Sequence, residues 1–235
     1  MKRLKRTIWR LPAGLLAVLL LAFLAYTARY YHAETEALSA LESDGVRVEK
    51  TDYGWFFDGP AGNSALIFYP GGKVEESAYA PLLHALAADG IDVCLVKMPF
   101  HLAVFGINKA NAIQQRYDYA SWYIGGHSLG GAAAAIYAAS HGLDGVVLLA
   151  AYPTRALDEP MLILYGSEDG VVNRERVSEA ERYGQAEIRV IPGGNHAGFG
   201  CYGAQRGDNT AGISAEEQQR QSIAAIEAWL ETTKR

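Results

Sequence analysis

Only two cysteines occur among the 235 residues of this chain, and neither belongs to a CxxC or HExxH motif. The sequence therefore lacks the spacings typical of zinc sites, and we expect no metal. Cys94 lies in an apolar run that predicts a central strand, whereas Cys201 lies in a late loop. The two could pair in an oxidising compartment, but we expect a buried free thiol and a separate loop thiol.

Charged residues are also scarce, at 20% of the chain, and they are unevenly distributed. Five of the cations lie in the first ten residues; without them, 16 basic residues face 26 acidic ones, a net charge of −10. So acidic a body would repel phosphate, which excludes nucleic acid as a partner. Half of the residues are apolar, which is typical of a globular protein, and the length suits one ordinary domain.

The N-terminal cations lead into LPAGLLAVLLLAFLAYTA, residues 11–28, which contains no charged side chain. At about 1.5 Å per helical residue, this run nearly matches a hydrocarbon core about 30 Å thick. A cleaved signal peptide is the alternative, but its candidate cleavage sites place Phe23 or Tyr26 where a small residue is needed. We therefore predict that residues 1–28 are a cytoplasmic basic leader and a transmembrane signal anchor. The protein would be single-pass, in the cell membrane, with its C-terminal domain outside the cytoplasm.

Residues 29–42 are polar and predict a linker. From residue 43 to residue 235, short apolar runs alternate with helical segments. The runs are continuous and do not alternate in polarity, which is typical of a sheet covered on both faces. This pattern predicts one α/β domain over residues 43–235 with a mainly parallel sheet, opened by a short antiparallel pair in VRVEKTD and WFFDG.

The segment WYIGGHSLGG, residues 122–131, joins a predicted strand to a predicted helix and contains a GxSxG motif centred on Ser128. The motif is diagnostic in this context, because the glycines permit a sharp turn that holds the serine in a strained conformation. The helix dipole and the Leu129 N–H lie where negative charge would develop. We predict that Ser128 is a nucleophile; a glycine-rich turn with a capping serine is the alternative.

A nucleophilic serine needs a base, and the base needs an orienting acid. In enzymes built on this turn, the acid and then the histidine follow the serine along the chain. LYGSEDGVV follows a predicted strand and supplies Asp169, with Glu168 as the fallback; GGNHAGFG follows the last predicted strand and supplies His196. We predict a Ser128–His196–Asp169 triad, and we expect the ring of His127 to be structural.

The loop FYPGGKV, residues 68–74, follows the first predicted parallel strand. A second N–H for an oxyanion hole is expected from this loop, beside that of Leu129. Its glycines let the backbone approach a substrate oxygen closely, and we predict Gly72 as the donor, with Lys73 next. A phosphate loop would need GxxxxGK followed by Ser or Thr, and this loop lacks that pattern.

Together with VKMPFHLAVF, these motifs make the sequence similar to the α/β-hydrolase superfamily over about residues 46–232. More narrowly, it resembles the small membrane-anchored bacterial members of the fold-5 type. The resemblance implies an eight-stranded, mostly parallel sheet with helices on both faces, and the triad named above. Many relatives carry a lid between the sixth and seventh strands. Here only about nine residues, from Pro153 to Met161, separate those strands, so we expect an open site without a large lid.

From these residues we predict a serine hydrolase that cleaves carboxylic ester or thioester bonds through an acyl-enzyme intermediate, without a cofactor. Its substrate would be a small-molecule, surface-glycan or lipid ester, and an open site favours short acyl groups. One alternative is an acyltransferase that uses the same site. The other is a non-catalytic membrane-anchored binding module.

Overall fold

The computed structural model describes residues 2–42, 44–60 and 62–233, with side chains from residue 14 onward. Contacts divide the chain between Tyr30 and Tyr31 into an N-terminal unit and a larger body. The N-terminal unit contains a helix, α1 (Lys2–Thr27). The cations of the predicted leader lie outside the described side chains.

The predicted membrane anchor is contradicted. Within the part of the chain that the structure describes, none of the helices combines the length and the apolar composition that a membrane span requires. The predictions of a single-pass anchor, of a membrane partner and of a cell-membrane location with an extracytoplasmic domain were therefore wrong.

Within the described residues, the body contains an eight-stranded sheet with the strand order β1-β2-β4-β3-β5-β6-β7-β8. Strand β2 is antiparallel to β1 and β4, and the remaining pairs are parallel. The prediction of a mostly parallel sheet opened by an antiparallel pair is therefore confirmed. The strands are β1 (Arg47–Lys50), β2 (Gly54–Asp58), β3 (Ser64–Tyr69), β4 (Asp92–Val96), β5 (Ser121–His127), β6 (Gly145–Leu149), β7 (Met161–Gly166) and β8 (Ala186–Ile191).

Helices cover both faces of this sheet. One apolar cluster includes Leu83 of α3 and Trp229 of α7, and a second includes Ile113 of α4 and Ala134 of α5. No large lid is present, because residues 150–160, between β6 and β7, are all described and form neither helix nor strand. The helices of the body are α2 (Thr35–Ser39), α3 (Ala80–Ala88), α4 (Lys109–Arg116), α5 (Leu129–Ala138), α6 (Arg174–Ser178) and α7 (Ala215–Thr233).

Residues 31–42, predicted as a linker, lie against the rest of the body. Tyr31 forms a β-bridge with Val74, in the loop after β3. The Glu34 N–H donates a hydrogen bond to the Cys201 carbonyl at 2.9 Å, and Ala37 in α2 is fully buried. This segment therefore adds a short outer layer beside the loops at the carboxyl edge of the sheet.

Gly130 brings the start of α5 against the end of β3. A Cβ atom at residue 130 would lie 2.2 Å from the Tyr69 carbonyl oxygen and 2.3 Å from the Pro70 carbonyl oxygen. Both obstacles are backbone atoms, so a side chain here would displace β3 from the helix. This close approach therefore depends on glycine.

We expect Gly130→Ala to lower the free energy of unfolding by at least about 2 kcal/mol, because the overlap forces the backbone apart. Gly142→Ala is the matched control: a Cβ atom there meets nothing within 4 Å. That change should alter stability by less than about 0.5 kcal/mol. Urea unfolding followed by circular dichroism measures both variants, and equal stabilities would contradict the packing argument.

Asp89, just after α3, and Glu227, in α7, bring two carboxyl groups together between these helices. A hydrogen bond with Asp89, followed by partial burial, raises the pKa of Glu227 to about 7 from its ordinary 4.5. The folded state therefore binds this proton more tightly than the unfolded state does. The associated stabilisation is fully present below pH 4.5 and is lost as the pH rises through 7.

We expect the melting temperature to fall between about pH 5 and pH 8, and Glu227→Gln to flatten that decline by removing the titrating charge. Glu216→Gln removes an exposed carboxylate from the same helix and should leave the pH dependence unchanged. Thermal denaturation across this pH range provides the measurement. A Glu227→Gln profile parallel to that of the wild type would show that the carboxyl pair does not control the decline.

Candidate active site

Ser128 lies between β5 and α5 with φ 52° and ψ −120°. A positive φ is strained for a residue with a side chain and persists only where the surroundings impose it. The Ser128 N–H donates to the Leu149 carbonyl at 2.9 Å, and the Ser128 carbonyl accepts from the Ala132 N–H at 3.0 Å. The strand, turn and helix predicted around this serine are therefore present, with the serine partly exposed at the carboxyl edge of the sheet.

The predicted base and acid are in direct contact. His196 Nδ1 lies 2.9 Å from Asp169 Oδ2, and both side chains are buried. Asp169 Oδ1 accepts two further hydrogen bonds, from the N–H groups of Val171 at 2.8 Å and Val172 at 2.7 Å. The Asp169 carboxylate can accept a hydrogen bond from the Nδ1–H of His196, and this tautomer leaves Nε2 as the basic nitrogen. Within the described residues, Nε2 has no hydrogen-bond partner.

The fallback acid, Glu168, is in a different environment. Its side chain is exposed and accepts a hydrogen bond from Ser167 Oγ at 3.0 Å. Of the two carboxylates considered from the sequence, Asp169 is the one bonded to His196. The geometry therefore favours Asp169 over Glu168 as the partner of the histidine.

Two side chains that the sequence analysis missed hold the acid and histidine loops. Asp208 accepts from the Gly170 N–H at 3.0 Å and from the Ala197 N–H at 2.9 Å, so it bridges the two loops. Gln218 of α7 accepts from the Asn195 N–H at 2.9 Å and donates to the Asn195 carbonyl at 2.8 Å. Neither residue belongs to a recognisable motif, so no local signal identified them.

The loop after β3 lies next to the first residue of α5. A Cβ atom at Gly72 would lie 2.9 Å from Leu129 Cδ2. The N–H groups on either side of Gly72 are in use: that of Gly71 donates to Tyr79 Oη at 3.1 Å, and that of Lys73 donates to a backbone carbonyl at 2.7 Å. Within the described residues the Gly72 N–H has no such bond, which favours Gly72 over Lys73 as an oxyanion donor.

A cavity of about 330 Å³ opens at Ser128 and His196. Most of its other walls are small or apolar, and Tyr152 adds an aromatic ring: they are Leu129, Ala132, Ala150, Ala151, Tyr152, Thr154, Val171, Val172 and Asn173. A larger cavity, of about 500 Å³, lies near Gly184 and Trp229, and its lining includes no residue of the predicted site. The chemistry of the side chains, and not cavity size, therefore identifies the candidate site.

Neither a cluster of metal ligands nor a thiol belongs to this site among the described residues. Among the described residues, no group of three or more histidine, cysteine or carboxylate side chains could hold a metal ion. Both cysteines are free thiols: Cys94 is buried in β4, and Cys201 Sγ accepts a hydrogen bond from Gln219. The candidate site consists of Ser128, His196, Asp169 and the surrounding backbone.

We expect the His196 Nδ1 proton to give a low-field NMR resonance that Asp169→Asn removes, because the amide no longer favours that tautomer. Glu168→Gln is the matched control: it neutralises the adjacent carboxylate and should leave the resonance in place. Proton NMR of both variants and of the wild type provides the measurement. Loss of the signal in Glu168→Gln, with retention in Asp169→Asn, would reverse the assignment of the acid.

Solved structures of other proteins share the fold of this chain. Est1E from Butyrivibrio proteoclasticus has a TM-score of 0.59 at 15% identity, covering 81% of this chain and 99% of that one. TT1662 from Thermus thermophilus has a TM-score of 0.57 at 16% identity, covering 79% of this chain and 98% of that one. The propionate-bound esterase Est2 of Thermogutta terrifontis has a TM-score of 0.53 at 15% identity, covering 80% and 94%.

At these identities the structural likeness shows the fold alone. A search of curated proteins finds no match to the sequence. The model of the alpha/beta hydrolase family, however, matches residues 65–220, which is well over half of the chain. The resemblance to the α/β-hydrolase superfamily inferred from the motifs is confirmed, and this chain belongs to the alpha/beta hydrolase family.

Proposed function

We propose that this chain is a serine hydrolase that cleaves carboxylic ester or thioester bonds through an acyl-enzyme intermediate. The observation that carries the proposal is the buried pair of His196 and Asp169, whose histidine lines the same cavity as Ser128. With Nδ1 committed to Asp169, the free Nε2 is available as a base for a serine hydroxyl in that cavity.

In the proposed reaction, Ser128 Oγ attacks the carbonyl carbon while His196 Nε2 takes the hydroxyl proton. Asp169 holds the histidine tautomer and stabilises the imidazolium that forms. The oxyanion accepts hydrogen bonds from the Leu129 N–H, at the N-terminus of α5, and from the Gly72 N–H. His196 then returns the proton to the leaving alcohol or thiol, the acyl-enzyme remains, and a water molecule activated by His196 releases the acid.

The walls of the cavity favour a short acyl group. Its volume of about 330 Å³ is near the lower end of the roughly 300–1,000 Å³ that ligand sites occupy. Ala132, Ala150 and Ala151 line it with small apolar side chains, and Val171 and Val172 add further apolar surface. The Thermogutta terrifontis esterase is described with propionate, a three-carbon acid, bound. These observations support an ester with a short acyl chain as the substrate. It would reach Ser128 through an open site without a large lid.

Labelling of the full chain with a fluorophosphonate tests the proposal. We expect labelling of the wild type, no labelling of Ser128→Ala, and hydrolysis of 4-nitrophenyl acetate and butyrate reduced at least about 10³-fold in Ser128→Ala and His196→Ala. Ser140→Ala is the matched control, because this serine lies exposed beyond α5 and should not affect either readout.

Circular dichroism of each variant separates loss of chemistry from loss of fold. A folded wild type that neither labels nor turns over esters would overturn the proposal. Labelling accompanied by transfer of the acyl group to an added alcohol, with no free acid formed, would replace hydrolysis by acyl transfer at the same serine.

A further inference from the structure

His127 has no part in the reaction described above, yet it is fully buried next to the groups that react. Its Nδ1 lies 2.7 Å from the hydroxyl of Tyr79, which is equally buried. The centroid of its ring lies 4.6 Å from that of His196, with the ring planes inclined by 52°. A buried polar pair therefore contacts the proposed base directly.

The proton positions in this pair follow from its hydrogen bonds. Burial raises the pKa of Tyr79, so the hydroxyl keeps its proton. Burial, and then the nearness of His196, lower the pKa of His127 well below its usual value, so the ring is neutral. Tyr79 Oη accepts from the Gly71 N–H at 3.1 Å, and within the described residues His127 Nδ1 is the acceptor for its single proton, so we assign this bond as Tyr79 donating to His127 Nδ1. With this assignment the proton of His127 lies on Nε2, which is buried and has no hydrogen-bond partner among the described residues.

The same pair supports the loop that carries the proposed oxyanion donor. A Cβ atom at Gly71 would lie 2.7 Å from both His127 Nδ1 and Tyr79 Oη, so the backbone rests directly on the pair. The Gly71 carbonyl accepts from the Val74 N–H at 3.3 Å. This carbonyl and the Gly72 N–H belong to one rigid peptide plane. Bonds on both sides of Gly71 therefore set the direction in which the Gly72 N–H points.

We propose that Tyr79 and His127 form a positioning pair that orients the Gly72 N–H toward the oxyanion and supports the ring of His196. The inference rests on the proposed function. Neither residue touches the substrate. The pair acts through its hydrogen bond to Gly71 on one side and through ring contact with His196 on the other.

Steady-state kinetics of the full chain with 4-nitrophenyl butyrate tests the pair. Removal of one oxyanion donor costs about 10²–10³ in kcat, so a misdirected donor should cost about 10-fold or more. We expect that loss in Tyr79→Phe and in His127→Leu, with little change in KM. His127→Asn places an acceptor oxygen near the position of Nδ1 and should restore most of kcat. The double variant, Tyr79→Phe with His127→Leu, should be no slower than the slower single variant.

The affinity for a trifluoromethyl ketone analogue of the substrate provides a second measurement. A residue that only stabilised the fold would not change this affinity. The analogue forms a tetrahedral oxyanion on the serine, so its affinity should fall by the same factor as kcat in Tyr79→Phe and His127→Leu, and recover in His127→Asn. Equal losses of kcat in His127→Asn and His127→Leu would overturn the positioning role. So would a lower kcat in Tyr79→Phe or His127→Leu with unchanged affinity for the inhibitor.

The two proposals can fail separately. Activity that Ser128→Ala abolishes, combined with wild-type kcat in Tyr79→Phe, would overturn the positioning pair and leave the proposed function standing. A wild-type chain without any activity dependent on Ser128 would overturn both.

Discussion

The close approach of backbone segments around Ser128 is the constraint on which the rest of the site depends. A Cβ atom at Gly126 would lie 2.5 Å from the Tyr69 carbonyl oxygen, and one at Gly130 would lie 2.2 Å from the same oxygen. Strands β3 and β5 and helix α5 can meet this tightly only because both positions are glycine. Their packing imposes the positive φ of Ser128 and sets the loop after β3 beside the start of α5. The serine and the oxyanion loop therefore owe their relative position to one packing contact.

The acid and the histidine are positioned in a different way. Strands β7 and β8 are parallel neighbours, so the loops that follow them emerge together at the carboxyl edge of the sheet. Polar side chains then lock these loops: Asp208 joins the two, and Gln218 attaches the histidine loop to α7. Each bond satisfies a backbone group that would otherwise be costly to bury. The serine side of the site thus depends on steric packing, and the histidine side depends on directional hydrogen bonds.

This difference explains what the sequence could predict. Continuous apolar runs and glycine-rich junctions are local patterns, and they were enough to predict the sheet and the location of Ser128, Asp169 and His196 at its edge. Tyr79 and Gln218 act on partners far along the chain from positions inside helical segments, where no local pattern distinguishes them. The apolar run near the N-terminus led to a wrong prediction. The absence of charge over residues 11–28 predicts a membrane span, and no helix among the described residues qualifies as one.

Because His127 lies beside the proposed base, His196, the proposed reaction requires His127 to remain uncharged. During the proposed reaction His196 becomes a cation, with Asp169 as its counterion. A second imidazolium at 4.6 Å would oppose that charge by about 4 kcal/mol at an effective dielectric constant near 20, and such a barrier would slow the reaction several hundredfold. Burial keeps His127 neutral, and the hydrogen bond from Tyr79 occupies the nitrogen at which it would otherwise take up a proton. A histidine can therefore occupy the variable position of this motif because its surroundings keep its ring neutral.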